Sequence, residues 1–217
     1  MKFGCMGCFV LLLILAVVLV GGAVALYYAG SVFDMPAIPR VDYTASDGYR
    51  AQQKLFDLLR RDSRRSSYPE PVVLTERELN AFLARHLEES EGIPFSPLVV
   101  KLLPGMVEVQ GRTTLVNLFK GFPFSLLVEY LPASTLERPV WVTVSGTILV
   151  QGRKSRTERE YGQLQVSEFS LGNKELGPWV LWLMLGGKER SLLRWQLPPG
   201  VDTITVEQGR IVITTRK

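Results

Sequence analysis

The sequence predicts an α+β protein, in which an N-terminal transmembrane helix is followed by a curved antiparallel sheet packed on one or two helices. Three observations lead to this fold class. No charged residue occurs between Lys2 and Asp34. Apolar residues then recur at helical spacing until about Gly92, and after Pro94 their period becomes that of a strand. The 217 residues leave room for one sizeable domain beyond the apolar run.

The apolar run has the length of a membrane span. Phe9 to Gly30 contains no charged side chain, and about 20 apolar residues are enough to cross the hydrocarbon core as a helix. Tyr27 and Tyr28 lie at its far end, where interfacial tyrosines are common. A cleaved signal peptide is the alternative, because Ala23-Val24-Ala25 resembles a small-x-small cleavage site. The run is longer than the usual apolar core of a signal peptide, which favours an uncleaved signal-anchor.

The signal-anchor divides the chain into four predicted segments. These are a short cytoplasmic N-terminus at 1–8, the transmembrane signal-anchor at 9–30, a tether at 31–45 and an extracytoplasmic α+β domain at 46–217. Lys2 and the N-terminus carry the only positive charges before the run, so the positive-inside rule favours a cytoplasmic N-terminus. We therefore expect a single-pass protein of the cell membrane whose C-terminal domain lies outside the cytoplasm.

The residues that commonly carry metal or catalytic chemistry are scarce. Cys5 and Cys8 both precede the apolar run, and their spacing supplies only two of the roughly four ligands that a zinc site needs. The single histidine, His86, lies far away in sequence. No nucleophile elbow, zinc-protease motif or dinucleotide-binding motif is present. The sequence therefore predicts no catalytic residue, no metal site and no cofactor, and a protein that is not an enzyme.

The charge of the chain is mildly basic. A formal net charge of +4, without a basic stripe interleaved with aromatic residues, predicts no nucleic-acid partner. Basic residues do cluster at Arg60, Arg61, Arg64 and Arg65. Two interpretations of this cluster stay open, namely a solvated linker and a contact with anionic lipid headgroups near a membrane.

The first helix of the domain is predicted in the segment SDGYRAQQKLFDLLRR. Ser46 or Asp47 can cap its start. One face carries five residues at helical spacing, as in an amphipathic helix: Tyr49, Gln52, Leu55, Phe56 and Leu59. The helix is expected to end in the arginine- and serine-rich segment that follows, since two prolines there forbid a helix.

The second helix begins with a capping box. Thr75 and Glu78 have the spacing at which each side chain accepts the backbone N–H of the other residue, so the helix is predicted to begin at Thr75. Leu74 and Leu79 have the spacing of a hydrophobic staple. The apolar stripe that follows is Leu79, Phe82, Leu83 and Leu87.

Two polar residues of this helix have competing interpretations. Asn80 is at the margin of the apolar stripe, either as a boundary residue or as an amide that hydrogen-bonds an adjacent strand edge. His86 falls in the middle of the stripe near the end of the helix, where a cation is favourable. A partly buried, structural histidine is the favoured interpretation over a catalytic one.

Beyond Pro94 the alternation predicts long strands. Two strands are expected around Pro104–Gly105, and a long strand between Arg138 and Arg153. The segment from Tyr161 to Gly172 pairs with it, and its broken alternation near Ser167 suggests a bulge. A terminal hairpin turns at Gln208–Gly209.

One further helix is apolar on nearly every side. It is predicted between Gly177 and Gly187, with Pro178 at its first position. At about ten residues it is too short to span a membrane. It should therefore be buried or line a groove.

The segment LTERELNAFLARHL, from Leu74 to Leu87, resembles the "lTe-x-ELNa-x-L" segment of small membrane-anchored bacterial envelope proteins of the YpmS and LmeA-like kind. The later order of long strands, the apolar GPWVLWLMLG helix and the terminal hairpin is also similar. The resemblance implies a fold akin to the tubular lipid-binding (BPI-like) superfamily, in which a twisted sheet wraps a long helix and leaves an apolar groove. The positions that carry it are structural: Thr75, Glu78, Leu79 and Asn80.

The resulting functional hypothesis is a membrane-anchored protein that binds or hands over an acyl lipid, or otherwise maintains the envelope. The predicted partners are membrane lipid, an acyl-lipid ligand and a membrane protein. The side chains expected to line the lipid groove are Phe82, Leu83, Trp179, Trp182 and Leu183. The alternative is a structural or scaffolding subunit of a membrane complex, which meets its partner through a sheet edge or the segment 60–65.

Overall fold

The computed structural model describes residues 32–37, 41–61, 70–89, 95–118, 131–151, 160–185, 193–198 and 200–215. In these residues the protein is α+β, with a curved antiparallel sheet and few helices, as the sequence predicts. The helices are α1 (Ala45–Arg61), α2 (Glu76–Glu89), α3 (Leu115–Leu118), α4 (Ala133–Leu136) and α5 (Pro178–Leu185). No helix of the described segments combines the length and the apolar character that a membrane crossing requires. The span predicted at 9–30 lies outside the described residues.

The strands form two antiparallel sheets. Their bounds are β1 (Val72–Thr75), β2 (Leu98–Leu103), β3 (Met106–Thr114), β4 (Pro139–Gln151), β5 (Tyr161–Leu171), β6 (Lys174–Leu176), β7 (Arg194–Gln196), β8 (Val201–Glu207) and β9 (Arg210–Thr215). The small sheet has the order β1-β9-β8, and the large sheet has the order β2-β3-β4-β5-β6 with β7 also paired to β5. The predicted strands on both sides of Pro104–Gly105 and the hairpin at Gln208–Gly209 are confirmed.

One face of the large sheet is apolar and the other is polar. Partners across an antiparallel ladder lie on the same face, and Val109, Val144 and Phe169 form one such apolar row. The ladder between β4 and β5 shifts its register, because Ser145 pairs with Glu168 whereas the next residue of β4 pairs with Val166. One residue of β5 is therefore bulged, which confirms the predicted bulge. The shift keeps the apolar residues of β5 on one face, because Phe169 and Leu171 on one side of the bulge and Leu164 and Val166 on the other all pair with the same side of β4.

Two clusters of buried side chains form the core. The first joins α1, α2 and the small sheet to β2 and β3, and its members include Ala51, Leu58, Val72, Leu74, Val100, Leu102, Val206 and Ile213. The second joins β4 and β5 to α3 and α5, and its buried members are Leu115, Val140, Val142, Phe169, Leu171 and Leu181. Helices α1 and α2 therefore pack on the first cluster, and α5 packs on the second. The opposite side of each of these helices is available to other contacts.

Helix α1 forms where the sequence predicts it, but of the predicted stripe only Leu55 packs against the core. Ala51 and Leu58 are the buried residues of this helix. Tyr49, Phe56 and Leu59, which belong to the stripe seen in the sequence, are exposed. Apolar residues occur on two different sides of this helix, so an apolar stripe in the sequence does not determine which side faces the core.

Candidate functional site

The polar residues at the start of α2 form the predicted capping box. The backbone N–H of Thr75 donates to Glu78 Oε2 at 2.9 Å, and the backbone N–H of Glu78 donates to Thr75 Oγ1 at 3.3 Å. The predicted helix start is wrong by one residue, since Thr75 is the last residue of β1 and pairs with Arg210. The strand could not be anticipated locally, because its partner strand β9 lies at the other end of the chain. Thr75 ends the strand and caps the helix at the same time.

Glu78 also binds a lysine of α1. Lys54 Nζ lies 2.7 Å from Glu78 Oε1 and 2.8 Å from Oε2, and it donates to the Val73 carbonyl at 2.8 Å. Burial by itself would raise the pKa of Glu78. The hydrogen bonds from Lys54 and from the Thr75 backbone outweigh that effect and hold the pKa below its ordinary value. The carboxylate therefore joins α1, β1 and α2 and is occupied by structural partners.

Asn80 holds α2 against the free edge of β2. Its Nδ2 donates to the carbonyl oxygens of Val100, at 2.6 Å, and of Glu76, at 2.8 Å. Its Oδ1 accepts the backbone N–H of Val100 at 2.8 Å. Asn80 is 1% exposed, so the interpretation as an amide that binds a strand edge is confirmed and the one as a boundary residue is wrong.

The next bonding position on that strand edge is also satisfied by other elements. The backbone N–H of Leu102 donates to Glu76 Oε2 at 2.8 Å, and its carbonyl accepts the N–H of Gly209 at 3.0 Å. An edge strand with unpaired backbone groups is a template for wrong pairing. Here two side chains of α2 and the β8–β9 turn close the edge, so the glutamates and the asparagine have a structural task.

His86 is placed as the structural interpretation predicts. It is half-buried in the last turn of α2, and its ring centroid lies 4.3 Å from that of Phe82. Within the described segments, no group of three or more histidine, cysteine, aspartate or glutamate side chains is arranged to hold a metal ion.

Helix α5 is the most apolar surface element of the described chain. Its eight residues, PWVLWLML, include no charged or hydrogen-bonding side chain other than the two indoles. Leu181 is buried in the second cluster, and the helix packs on β5. Trp179 is 66% exposed and Trp182 is 37% exposed. A helix that is apolar all round is normally buried, so the two exposed indoles require an explanation.

A glycine makes room for the first indole. A Cβ atom added to Gly177 would lie 2.5 Å from Cδ1 and from Nε1 of Trp179. Only glycine therefore lets the indole lie against the backbone at the start of α5. Gly162 provides a comparable space for the ring of Trp195, which is 38% exposed on β7. Glycine at these two positions therefore lets partly exposed rings lie directly against the backbone.

The residues predicted to line one groove lie on different parts of the core. Phe82 and Leu83 are half-buried against the first cluster, whereas Trp179 and Trp182 belong to α5, beside the second. The side chain of Leu183 lies outside the described residues. The common groove stays a prediction, and α5 is the part of it that is available at the surface.

A shallow polar cavity of about 300 Å³ opens on the other face of the large sheet. In the ladder, Glu108, Ser145 and Glu168 form one row across β3, β4 and β5. Gln110 and Glu175 line the same cavity. Its lining is rich in oxygen acceptors and does not resemble a site for an acyl chain.

The fold and its surface thus define an α+β protein with a closed sheet edge and an exposed, tryptophan-bearing apolar helix. No known protein family matches this sequence, and no curated protein shows significant similarity to it.

Proposed function

We propose that this chain is a membrane-anchored lipid-binding protein of the cell envelope, with its α+β domain outside the cytoplasm. The single observation that carries the proposal is helix α5, an apolar helix that displays Trp179 and Trp182 at the surface. The uncharged run at 9–30 supports a transmembrane anchor next to this domain. Together, an exposed apolar helix and an apolar run long enough to cross a membrane support this proposal.

The exposed area of Trp179 gives the scale of the interaction. A tryptophan side chain buries about 150–250 Å² when fully covered. With 66% of the residue exposed, roughly 100–165 Å² is left for a ligand to cover, which corresponds to about 2.5–4 kcal/mol. A tryptophan side chain, with an apolar body and one polar N–H, suits a position between an acyl chain and a polar headgroup. An acyl lipid lying along α5 meets both requirements.

Purification of the full chain in a mild detergent, followed by mass spectrometry of the retained lipid, tests the proposal. The wild type should carry an acyl lipid in a fixed ratio, and the pair Trp179→Ala and Trp182→Ala should lose most of it. Trp195→Ala is the matched control, because that indole is as exposed as Trp182 but belongs to β7. Equal lipid retention in the double variant and the wild type would refute the role of α5.

A structural subunit of a membrane complex is the second candidate function. The observation in its favour is the same pair of exposed indoles, since tryptophan is enriched at the centres of protein interfaces. A photo-crosslinking amino acid placed at Trp182 separates the two candidates in cells. Crosslinks to lipid favour the lipid-binding protein, whereas a stoichiometric crosslink to one protein, without retained lipid, favours the subunit.

A further inference from the structure

The outward side of α1 carries a second apolar surface, far from α5 in sequence. Tyr49 is 59% exposed, Phe56 is 55% exposed and Leu59 is 57% exposed. The opposite side of the helix buries Ala51 and Leu58 in the first core cluster. The helix thus has one apolar side for the core and a separate apolar side that is largely exposed.

The three outward side chains form one stripe. At 3.6 residues per turn, Leu59, Phe56 and Tyr49 fall within an arc of about 80°. Single apolar residues at a surface are ordinary and need no explanation. A stripe that runs from Tyr49 to Leu59, about three turns of this helix, is a candidate contact surface.

Arginines border this stripe and contact its rings. The Arg60 guanidinium carbon lies 5.2 Å from the centroid of the Phe56 ring. The Arg85 guanidinium carbon, which comes from α2, lies 4.5 Å from that of Tyr49. Cation–π contacts of this kind keep positive charge directly beside the apolar surface. Helix α1 contains four basic residues and two acidic ones. One of the two acidic residues, Asp47, forms an ion pair with Arg50 at 3.0 Å.

Aromatic and aliphatic residues flanked by arginine are the composition of helices that lie in a membrane interface. Arginine attracts anionic headgroups, and the apolar side chains enter the boundary between headgroups and acyl chains. The segment 31–44 between the apolar run and α1 spans at most about 50 Å when fully extended. Helix α1 is therefore within reach of the bilayer that holds the proposed anchor.

We propose that the outward side of α1, formed by Tyr49, Phe56 and Leu59 with Arg60 and Arg85 at its border, lies in the headgroup layer of an anionic bilayer. This inference rests on the membrane anchoring proposed above, but not on lipid binding by α5. It orients the domain, because the side of α1 that meets the membrane is opposite to the side that holds the core.

Spin labelling of the full chain in vesicles tests the inference. Gln52 is exposed on the same side of the helix, and Gln52→Cys in a Cys5→Ser and Cys8→Ser background places a label on the stripe. Asn173→Cys, on the exposed turn between β5 and β6, is the matched control site. Collision with oxygen and with a water-soluble nickel complex reports the depth of each label. The vesicles are phosphatidylcholine with or without phosphatidylglycerol.

The label at Gln52 should lie about 5–10 Å inside the headgroup boundary in vesicles with phosphatidylglycerol, and the control label should stay in water. A label at Gln52 that stays in water in both vesicle types overturns the inference. Equal immersion in neutral vesicles overturns the role of the arginine border. Dipolar broadening that disappears on dilution of the protein assigns the stripe to a second copy of this chain and also overturns it.

Failure of this inference can be separated from failure of the proposed anchor. Resistance of the protein to alkaline extraction from the same vesicles reports the anchor independently. An anchored chain with its Gln52 label in water leaves the anchor in place and overturns only the contact of α1. Extraction of the chain from the vesicles would show that it has no anchor, and would overturn both the proposed anchor and the contact of α1. Salt should weaken the immersion, because screening shortens the reach of the arginine charges.

Discussion

Replacement of Asn80 by alanine tests how α2 is joined to the large sheet. Asn80 satisfies the N–H and the carbonyl of Val100 at 2.8 and 2.6 Å, in a position that is 1% exposed. Each buried backbone group left without a partner costs about 1–3 kcal/mol, so the two groups together should lower the free energy of unfolding by about 2–6 kcal/mol. This is a large part of the roughly 5–15 kcal/mol that stabilises an ordinary domain.

Urea unfolding of the full chain in a mild non-ionic detergent, followed by far-ultraviolet circular dichroism, measures that loss. Asn80→Asp serves as a second variant, because it keeps the acceptor for the Val100 N–H but loses both donors. Its deficit relative to the wild type should shrink at acidic pH, where a protonated carboxyl donates to the Val100 carbonyl. A loss below about 1 kcal/mol in Asn80→Ala would refute the account, since it would mean that water replaces the amide without cost.

Three smaller perturbations test other contacts of α2 and α5. Thr75→Ala should cost about 1 kcal/mol of unfolding free energy, the usual value of a helix cap, and an unchanged urea midpoint would contradict the capping role. Glu78→Gln should reduce the acid sensitivity of folding. The pKa of Glu78 is lowered in the folded protein, so the stability that its carboxylate contributes is present at neutral pH and is lost as the pH falls below about 5. A loss of stability in acid that is equally steep in the variant would argue against this role of Glu78. Gly177→Ala places a methyl group 2.5 Å from the Trp179 indole, so retained lipid should fall while the circular dichroism spectrum stays the same; full retention would count against the held ring.

The features predicted correctly from the sequence are those whose partners lie nearby in the chain. The capping box joins residues three positions apart. The hairpin at Gln208–Gly209 and the strands around Pro104–Gly105 depend on local turns and alternation. The apolar helix after Gly177 follows from composition alone. In each case the free energy that selects the structure comes from a window of a few residues.

The features that were missed depend on distant partners. Strand β1 has four residues and forms because β9, at the other end of the chain, supplies its hydrogen bonds. Lys54 of α1 forms an ion pair with Glu78 of α2, and no spacing in the sequence indicates this pair. The exposure of Phe56 could not be foreseen either, since Ala51 and Leu58 compete for the same core and only the packing decides between the two sides of α1.

The sequence predicts which residues form the apolar helix α5, but not which of them are exposed. The sequence indicates that Trp179 and Trp182 belong to an apolar helix, and the helix exists. Their exposure depends on how α5 lies against β5, where Leu181 takes the buried position. Phe82, predicted to line the same groove, packs against the first cluster, so the common groove stays a prediction.

Quenching of tryptophan fluorescence by a brominated acyl lipid tests the central claim most directly, because bromine quenches only an indole that it touches. The full chain, in nanodiscs of unbrominated lipid, should lose part of its emission as the brominated lipid is added. Trp179→Phe combined with Trp182→Phe should abolish most of that loss, whereas Trp195→Phe should leave it unchanged. Quenching of equal size in the double variant and the wild type would show that the acyl chain does not lie on α5 and would contradict the account.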